Sequence, residues 1–183
     1  LKGLAPGNVH KTESGLVILD IASAAALKTA YADLTRRLKG KGNVLLQRQM
    51  PADFELIAGM VQDAQFGPCV MFGLGGIFAE LQQDVVFAPA PLSAATATKL
   101  LGRISGHKLL RGFRGRKPLN TKIMADILVA LGNLAHACPD IEQIDINPLV
   151  VHRGKPVAVD ATIIRRGFCD TAGGLMIPLH KMV

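Results

Sequence analysis

Aromatic residues are scarce in this sequence: they make up 4% of its 183 residues, with one Tyr and no Trp. Proteins that bind single-stranded nucleic acid stack the bases on aromatic side chains that are interleaved with basic ones, and the chain lacks that pattern. The net charge of +7 therefore favours small anionic ligands such as phosphates over nucleic acid. Solvated surface loops remain an alternative explanation of the basic runs at 36–41 and 111–117.

Cysteine is scarce too, and long apolar runs are missing. Cys69, Cys138 and Cys169 lie far apart and form no CxxC pair. This spacing argues against a zinc site or a disulfide framework and fits a reducing cytoplasm. No apolar run reaches the ~20 residues that cross a bilayer, and no signal peptide is visible, so we expect no membrane segment. The chain opens on Leu1 and not on Met, which predicts a piece of a longer gene product.

The remaining composition, 49% hydrophobic and 19% charged, is typical of a soluble enzyme that contains both helices and strands. Strand-like runs outnumber helical ones in the middle of the chain, which predicts an α+β fold with one antiparallel sheet and helices on one side. The predicted strands are 16–21, 44–50, 55–62, 69–72 and part of 77–87, and the predicted helices are 24–38, 94–101 and 121–137. Ser23 and Ser93 are the expected N-caps of the first two helices.

The run from Asp145 to Asp160 has the most informative chemical pattern. Two β-branched segments flank a turn at Arg153-Gly154, which predicts a β-hairpin. Folding of the hairpin can bring Asn147, near its start, beside Asp160, near its end. An amide oxygen and a carboxylate are hard ligands of the kind that Mg²⁺ takes when phosphates complete its shell. The spacing therefore predicts a metal–nucleotide site.

Two basic groups near the start of the chain are further candidates. His10 precedes small and polar residues, and a neutral imidazole in such a loop can attack a phosphoryl group. A single loop histidine is also common on plain protein surfaces. Lys2 can place its ammonium on nucleotide phosphates, although a lysine alone predicts nothing.

Other patterns have both a functional and a structural explanation. The glycine-rich run at 73–76 allows backbone amides to approach phosphates, or it forms a strand bulge or tight bend. Gln49 and Met50 form either a hinge whose backbone meets an adenine edge, with Met50 against the ring, or a plain strand end. Four carboxylates lie in apolar stretches, where they pair with Arg114, with a metal or with structural partners: Glu55, Asp63, Glu80 and Asp84.

Together these runs resemble the ATP-grasp part of the ADP-forming acyl-CoA (acetyl-CoA) synthetases, relatives of the succinyl-CoA synthetase β subunit. The resemblance covers residues 1 to about 164, and its motifs follow the family's order. The matching pieces are Lys2, 10–13, 49–50, 54–59, Asp63 with 66–68, 72–77, Glu80 with Asp84, 90–92, 109–115, and 145–149 with 159–160.

The resemblance implies a role for each matching residue. His10 matches the histidine proposed to carry phosphate within this subunit, and Asn147 and Asp160 match the Mg²⁺ ligands. Lys2 matches the lysine that contacts phosphates, and Gln49 and Met50 match the hinge at the adenine. The implied ATP-binding set is Lys2, Gln49, Met50, Glu55, Gly75, Gly76 and Arg114.

The resemblance also implies an activity, partners and a division of the chain. The activity is formation of acyl-CoA, ADP and phosphate from a carboxylic acid, CoA and ATP through phosphohistidine. CoA and the acid would bind a separate α subunit or fused α domain. The implied parts are the remainder of the first ATP-grasp lobe (1–50), the second lobe with the metal hairpin (51–166) and an unassigned tail (167–183). The N-terminal portion of the grasp is expected before Leu1.

Two departures and one competing function accompany this resemblance. Leu16 stands where many members have a second glycine, and Asn120 stands where an Asp often follows the Arg-Gly loop. The alternative function is a ligand-sensing module of a fused protein such as an acetyltransferase. The presence of His10, Lys2, Asn147 and Asp160 argues for the enzyme, because a sensor has no need of a relay histidine.

Overall fold

The computed structural model describes residues 1–5, 15–76, 84–113 and 115–167, and they form two compact units. The first unit contains Leu1–Gln49 and the second contains Met50–Gly167. Within the described ranges, no helix is long and apolar enough to cross a membrane.

The first unit is a helix packed on a two-stranded ladder. Strand β1 (Lys2–Leu4) pairs antiparallel with β2 (Asn43–Leu45), and α1 (Ala24–Leu38) connects them along the chain. The α1 bounds agree with the prediction, and the Ser23 hydroxyl accepts the Ala26 N–H at 3.1 Å as the expected N-cap. The small core of this unit is made of Leu1, Leu16, Ala30, Leu34 and Leu38.

Two strand predictions in this unit are wrong in extent. The run at 16–21 forms one isolated bridge, between Lys2 and Val17, and not a full strand. The run at 44–50 was predicted to be a strand throughout, but β2 ends at Leu45 and Leu46 is 63% exposed. The reason is the partner: β1 is three residues long, so it cannot pair with a longer run.

The second unit is built on an antiparallel sheet of six strands. They are β3 (Phe54–Asp63), β4 (Gly67–Leu74), β5 (Val85–Pro89), β6 (Ile141–His152), β7 (Lys155–Ala158) and β8 (Thr162–Arg165). Their order is β5-β4-β3-β6-β7, and β8 also pairs with β6. The helices among the described residues of this unit are α2 (Ala94–Leu101), α3 (His107–Leu110) and α4 (Thr121–Ala137).

One face of this sheet carries the main core. Alternate residues of β3 and β4, such as Leu56 and Phe72, are fully buried together with Leu100 of α2 and Met124 and Leu128 of α4. Apolar burial of this extent stabilises the unit by about 1.5–3 kcal/mol per large side chain. The arrangement confirms the predicted α+β class, with an antiparallel sheet and flanking helices.

The buried face of α4 differs from the expected one. The helix bounds were predicted correctly. The helical spacing of Ile123, Ile127, Leu131 and Leu134 predicts that they form the buried face, but Leu134 is 39% exposed and Ile123 and Ile127 are half-buried. Leu131 is buried as expected, together with Met124, Leu128 and Ala135. Because α4 is apolar on much of its surface, two neighbouring stripes have helical spacing, and packing against the sheet selects one of them.

The turn of the β6–β7 hairpin is held from two sides. Arg153 and Gly154 have φ angles of 50° and 81°, the left-handed pair of a two-residue hairpin turn. The Arg153 N–H donates to Oδ2 of Asp53 at 2.7 Å, and the Gly154 carbonyl accepts the Asn120 N–H at 2.7 Å. A Cβ on Gly154 would lie 2.4 Å from the Pro118 carbonyl oxygen, so only glycine fits this contact.

We expect Gly154→Ala to destabilise the second unit by about 2–4 kcal/mol, because a positive φ and a backbone clash act together. Gly67→Ala is the matched control: Gly67 has φ +70°, but a Cβ there meets nothing within 4 Å. We expect it to lower the free energy of unfolding by about 1 kcal/mol. Urea unfolding of both variants measures the difference. Equal losses of unfolding free energy would contradict a close contact between the turn and the Pro118 carbonyl.

Candidate metal and nucleotide site

A β-bulge in β6 creates the candidate metal site. Leu149 pairs with Leu56 of β3, and Ile146 pairs with Ala58. One β3 residue, Ile57, therefore lies opposite two β6 residues, Asn147 and Pro148, whose peptide bond is cis. A bulge of this kind redirects side chains, and bulges are frequent beside active sites.

The other edge of β6 places Asp160 across from Asn147. Leu149 pairs with Ala158 of β7, and the same register extended by two residues, past the end of β7, aligns Asn147 with Asp160. Counting from Asp145, which pairs with Thr162 of β8, gives the same result. Side chains directly opposite in an antiparallel pair have Cβ atoms about 4.5–5.5 Å apart. The register thus aligns the two residues that the sequence predicted as neighbours, and their joint role as metal ligands stays a prediction.

The environment of this pair suits a divalent cation. Asn147 is exposed and Asp160 is half-buried, with its Oδ1 accepting the Ala161 N–H at 3.0 Å. Among the residues that the structure describes, no group of three or more His, Cys, Asp or Glu side chains could hold a metal ion by itself. One carboxylate and one amide oxygen match Mg²⁺, which keeps waters and takes phosphate oxygens for the rest of its shell.

The glycine-rich run packs tightly against β3. The Gly75 N–H donates to the Glu55 carbonyl at 2.9 Å, and a Cβ on Gly75 would lie 2.8 Å from the Leu56 carbonyl oxygen. At Gly76, with φ +63°, a Cβ would lie 3.0 Å from Oε2 of Glu55. Close backbone packing therefore already requires glycine at 75. Because the Glu55 carboxylate lies beside Gly76, a phosphate at this position needs a cation between the two negative groups.

Two of the four carboxylates in apolar stretches have structural partners. The buried Asp84 accepts the N–H groups of Ser105 at 2.7 Å and Gly106 at 2.8 Å, which fixes the segment before α3. Asp63 accepts the N–H groups of Gln65 and Phe66, both at 2.8 Å, and thereby closes the β3–β4 turn. For these two residues the structural explanation is the correct one.

The first unit carries two candidate ATP-binding residues. Lys2 lies on β1, opposite Leu45. The side chain of Gln49 is exposed and makes two hydrogen bonds with Asp20. Met50 begins the second unit and is half-buried. His10, Glu80 and Arg114 lie outside the described residues, as does the tail at 168–183.

Comparison with known proteins places this arrangement in a family. The ATP-grasp domain family matches residues 1–164. The chain belongs to the ATP-grasp family. A β subunit of acetate–CoA ligase [ADP-forming] I from Pyrococcus furiosus is 37% identical to this ATP-grasp chain over 170 residues, which are 90% of this chain and 73% of that subunit.

Solved structures of an archaeal acetyl-coenzyme A synthetase 1 are similar in sequence and in fold. One from Ca. Korarchaeum cryptofilum, in complex with coenzyme A and Ca-AMPCP, is 36% identical with a TM-score of 0.84, covering 90% of the ATP-grasp chain and 75% of the other. A second structure of that enzyme, with coenzyme A and Mg-AMPPCP, is 38% identical with a TM-score of 0.80, covering 91% and 75%. Its phosphohistidine segment points towards the nucleotide binding site.

Two residues of the ATP-grasp chain that support the hairpin were missed by sequence reasoning. Asp53 binds the turn at Arg153, a residue 100 positions away, and no local sequence pattern predicts such a contact. Asn120 is the N-cap of α4, and its Oδ1 accepts the Ile123 N–H at 3.1 Å. The signal for Asn120 was available, because Asn directly before a helical run is a common cap.

Asn120 therefore carries a structural role whether it is Asn or the more usual Asp. We expect Asn120→Asp to leave stability unchanged or slightly raised, because both residues cap well and a carboxylate favours a helix N-terminus. Asn120→Ala should lower the free energy of unfolding by about 1 kcal/mol, measured by urea unfolding. If Asn120→Asp destabilises as much as Asn120→Ala, the cap is not its main contribution.

Proposed function

We propose that this chain is the ATP-binding, phosphate-relaying part of an ADP-forming acyl-CoA synthetase. The overall reaction is acid, CoA and ATP to acyl-CoA, ADP and phosphate. The observation that carries the proposal is the register of β6, which sets Asn147 opposite Asp160 within a family of ATP-grasp domains. Two relatives support it: this chain spans 73% of the Pyrococcus furiosus acetate–CoA ligase [ADP-forming] β subunit and 75% of the Korarchaeum cryptofilum acetyl-coenzyme A synthetase chain.

Asn147 and Asp160 would hold the magnesium ion of Mg–ATP. When bound, Mg²⁺ neutralises charge on the transferred phosphoryl group. Asn147 is exposed at the bulge, and the register that the β6–β7 and β6–β8 pairs share supports a position of Asp160 opposite it. Lys2 would add a positive charge at the phosphates, and Glu55, Gly75, Gly76 and Arg114 would line the rest of the site.

His10 would accept the phosphoryl group. The lone pair of a neutral imidazole nitrogen attacks the γ-phosphorus, a nitrogen–phosphorus bond forms, and the bond to the oxygen that stays with ADP breaks. A second phosphohistidine on the partner would receive the group and pass it to the carboxylic acid, whose acyl phosphate then reacts with CoA. A relay of this type allows ATP chemistry and acyl-CoA chemistry to proceed at separate places.

The partner follows from the same proposal. A β subunit implies another subunit, and we propose that a CoA-binding α subunit, or an α domain in the same polypeptide, supplies the pockets for CoA and the acid. A cytoplasmic location belongs to this proposal. It is supported by Cys69 and Cys138, which are free cysteines in the described part of the chain.

We expect His10→Ala to abolish phosphoenzyme while nucleotide binding persists, because the substitution removes the nucleophile and no proposed nucleotide contact. The complete gene product is incubated with Mg²⁺ and γ-labelled ATP and tested for acid-labile, base-stable label. His136→Ala, on the exposed side of α4, is the control and should keep the label. Label that remains on the His10 variant rules out this assignment. A folded wild-type protein that binds ATP but never acquires label favours the sensor function.

We expect Asp160→Ala to weaken Mg–ATP binding about ten-fold or more, because it removes half of the protein's contribution to the metal shell. Asp126→Ala is the matched control: this carboxylate is 58% exposed on α4, where it pairs with Lys122. Calorimetric titration with Mg–ATP measures both. Equal affinity of the Asp160 variant and the wild type would refute the metal site.

A further inference from the structure

We infer that Asp20 determines base specificity, by locking Gln49 so that the base meets one fixed hydrogen-bonding arrangement and adenine is preferred over guanine. This inference rests on the proposed function, in which Gln49 and Met50 lie at the nucleotide base. Asp20 would be a positioning residue, since it would act through Gln49 and not by touching the nucleotide.

The contact between the two residues is reciprocal. The Asp20 N–H donates to Oε1 of Gln49 at 2.7 Å, and Nε2 of Gln49 donates to Oδ1 of Asp20 at 2.8 Å. The two bonds use one donor and one acceptor on each residue. They therefore fix the orientation of the amide: its oxygen must face the backbone and its nitrogen must face the carboxylate.

The backbone of Asp20 has an unusual conformation. Its φ is 58°, in the left-handed region, which costs a non-glycine residue about 1–2 kcal/mol, although Asp tolerates it better than most. Both side chains are exposed, so each hydrogen bond contributes little net stability in water. Stability alone thus gives a weak reason for this arrangement, and non-glycine residues in such conformations cluster at functional sites.

Locking the amide has a direct consequence for base recognition. The side chain of Gln49 is committed to Asp20, so the base must be read by the backbone at 49–50, whose N–H and C=O positions the lock holds steady. Adenine presents an N6 amino donor beside the N1 acceptor, whereas guanine presents the O6 acceptor beside an N1–H donor. A fixed donor–acceptor pair matches only one of these patterns. A released glutamine amide could rotate and satisfy either.

The test uses three variants of the complete protein and calorimetric titration with Mg–ATP and Mg–GTP. In Gln49→Glu, a carboxylate faces the Asp20 carboxylate and the lock is broken. In Asp20→Asn, the Asn oxygen still accepts from Nε2 and Asn tolerates the left-handed backbone, so the lock is kept. The double variant Asp20→Asn with Gln49→Glu restores the lock and has the wild-type net charge. In it the amide introduced at position 20 donates to the carboxylate introduced at position 49, which reverses the direction of the side-chain hydrogen bond.

We expect Gln49→Glu to weaken ATP binding about three- to ten-fold and to reduce the preference for ATP over GTP, as expected for loss of hydrogen bonds of ordinary strength. The Asp20→Asn variant should keep the wild-type preference for ATP over GTP, and the double variant should recover it. Gln65→Glu, the same chemical change on the exposed β3–β4 turn, should change nothing. Binding of inorganic triphosphate and the thermal unfolding midpoint should stay constant in all variants. A pair with only a structural role would change the thermal unfolding midpoint and leave the base preference unchanged.

Two results would overturn the inference while the proposed function stands. If Gln49→Glu weakens ATP binding and the double variant does not restore it, Gln49 acts independently of Asp20. If all variants bind ATP and GTP as the wild type does, the hydrogen bonds between Asp20 and Gln49 have only a structural role. A wild-type protein that binds neither nucleotide would contradict the proposed function itself and the inference with it.

Discussion

The pairing of β6 with its neighbours on both edges is the constraint on which the second unit depends. On one edge β6 pairs with β3, the strand that contributes Leu56, Ala58 and Met60 to the core. On the other edge it pairs with β8 from Gln143 to Asp145 and with β7 from Leu149 to His152 in the same register. Because the core fixes the register of β3 against β6, it also fixes which residues lie opposite each other at the candidate metal site. A shift by one residue would turn every side chain of β6 to the wrong face.

The supports around the hairpin extend this constraint to the rest of the unit. The turn at Arg153-Gly154 is bound by the Asp53 carboxylate, just before β3, and by the backbone of Asn120, just before α4. The hairpin is therefore attached at both of its ends: by ladders beside the candidate ligands, and by two hydrogen bonds at the turn. Placement of Asn147 and Asp160 is a property of the whole sheet and helix α4, and not of the hairpin alone.

Prediction from sequence succeeded where the determining contacts are local. The bounds of α1 and α2 follow from Ser23 and Ser93, whose hydroxyls accept N–H groups three residues ahead. The Arg153-Gly154 turn follows from residue types that adopt positive φ. The strand at 44–50 was predicted too long because its extent depends on β1, about 40 residues earlier in the chain. Asp20 and Asp53 were missed for the same reason: their partners are 29 and 100 residues away. The candidate site divides likewise, since spacing suggested Asn147 and Asp160, whereas the bulge depends on pairing with β3.

The position of Asp160 in the sheet has a consequence for how such a domain changes during evolution. It lies in the gap at 159–161 between β7 and β8, so its side chain is not part of the packed core. Its carboxylate accepts the Ala161 N–H, a contact inside this gap and outside the ladders of the sheet. A descendant could exchange Asp160 and lose phosphate chemistry while its sheet, helices and hairpin remain intact. Catalytic and non-catalytic members of one lineage would then share nearly the same architecture, and the residue at this single position would be a better guide to their chemistry than overall similarity.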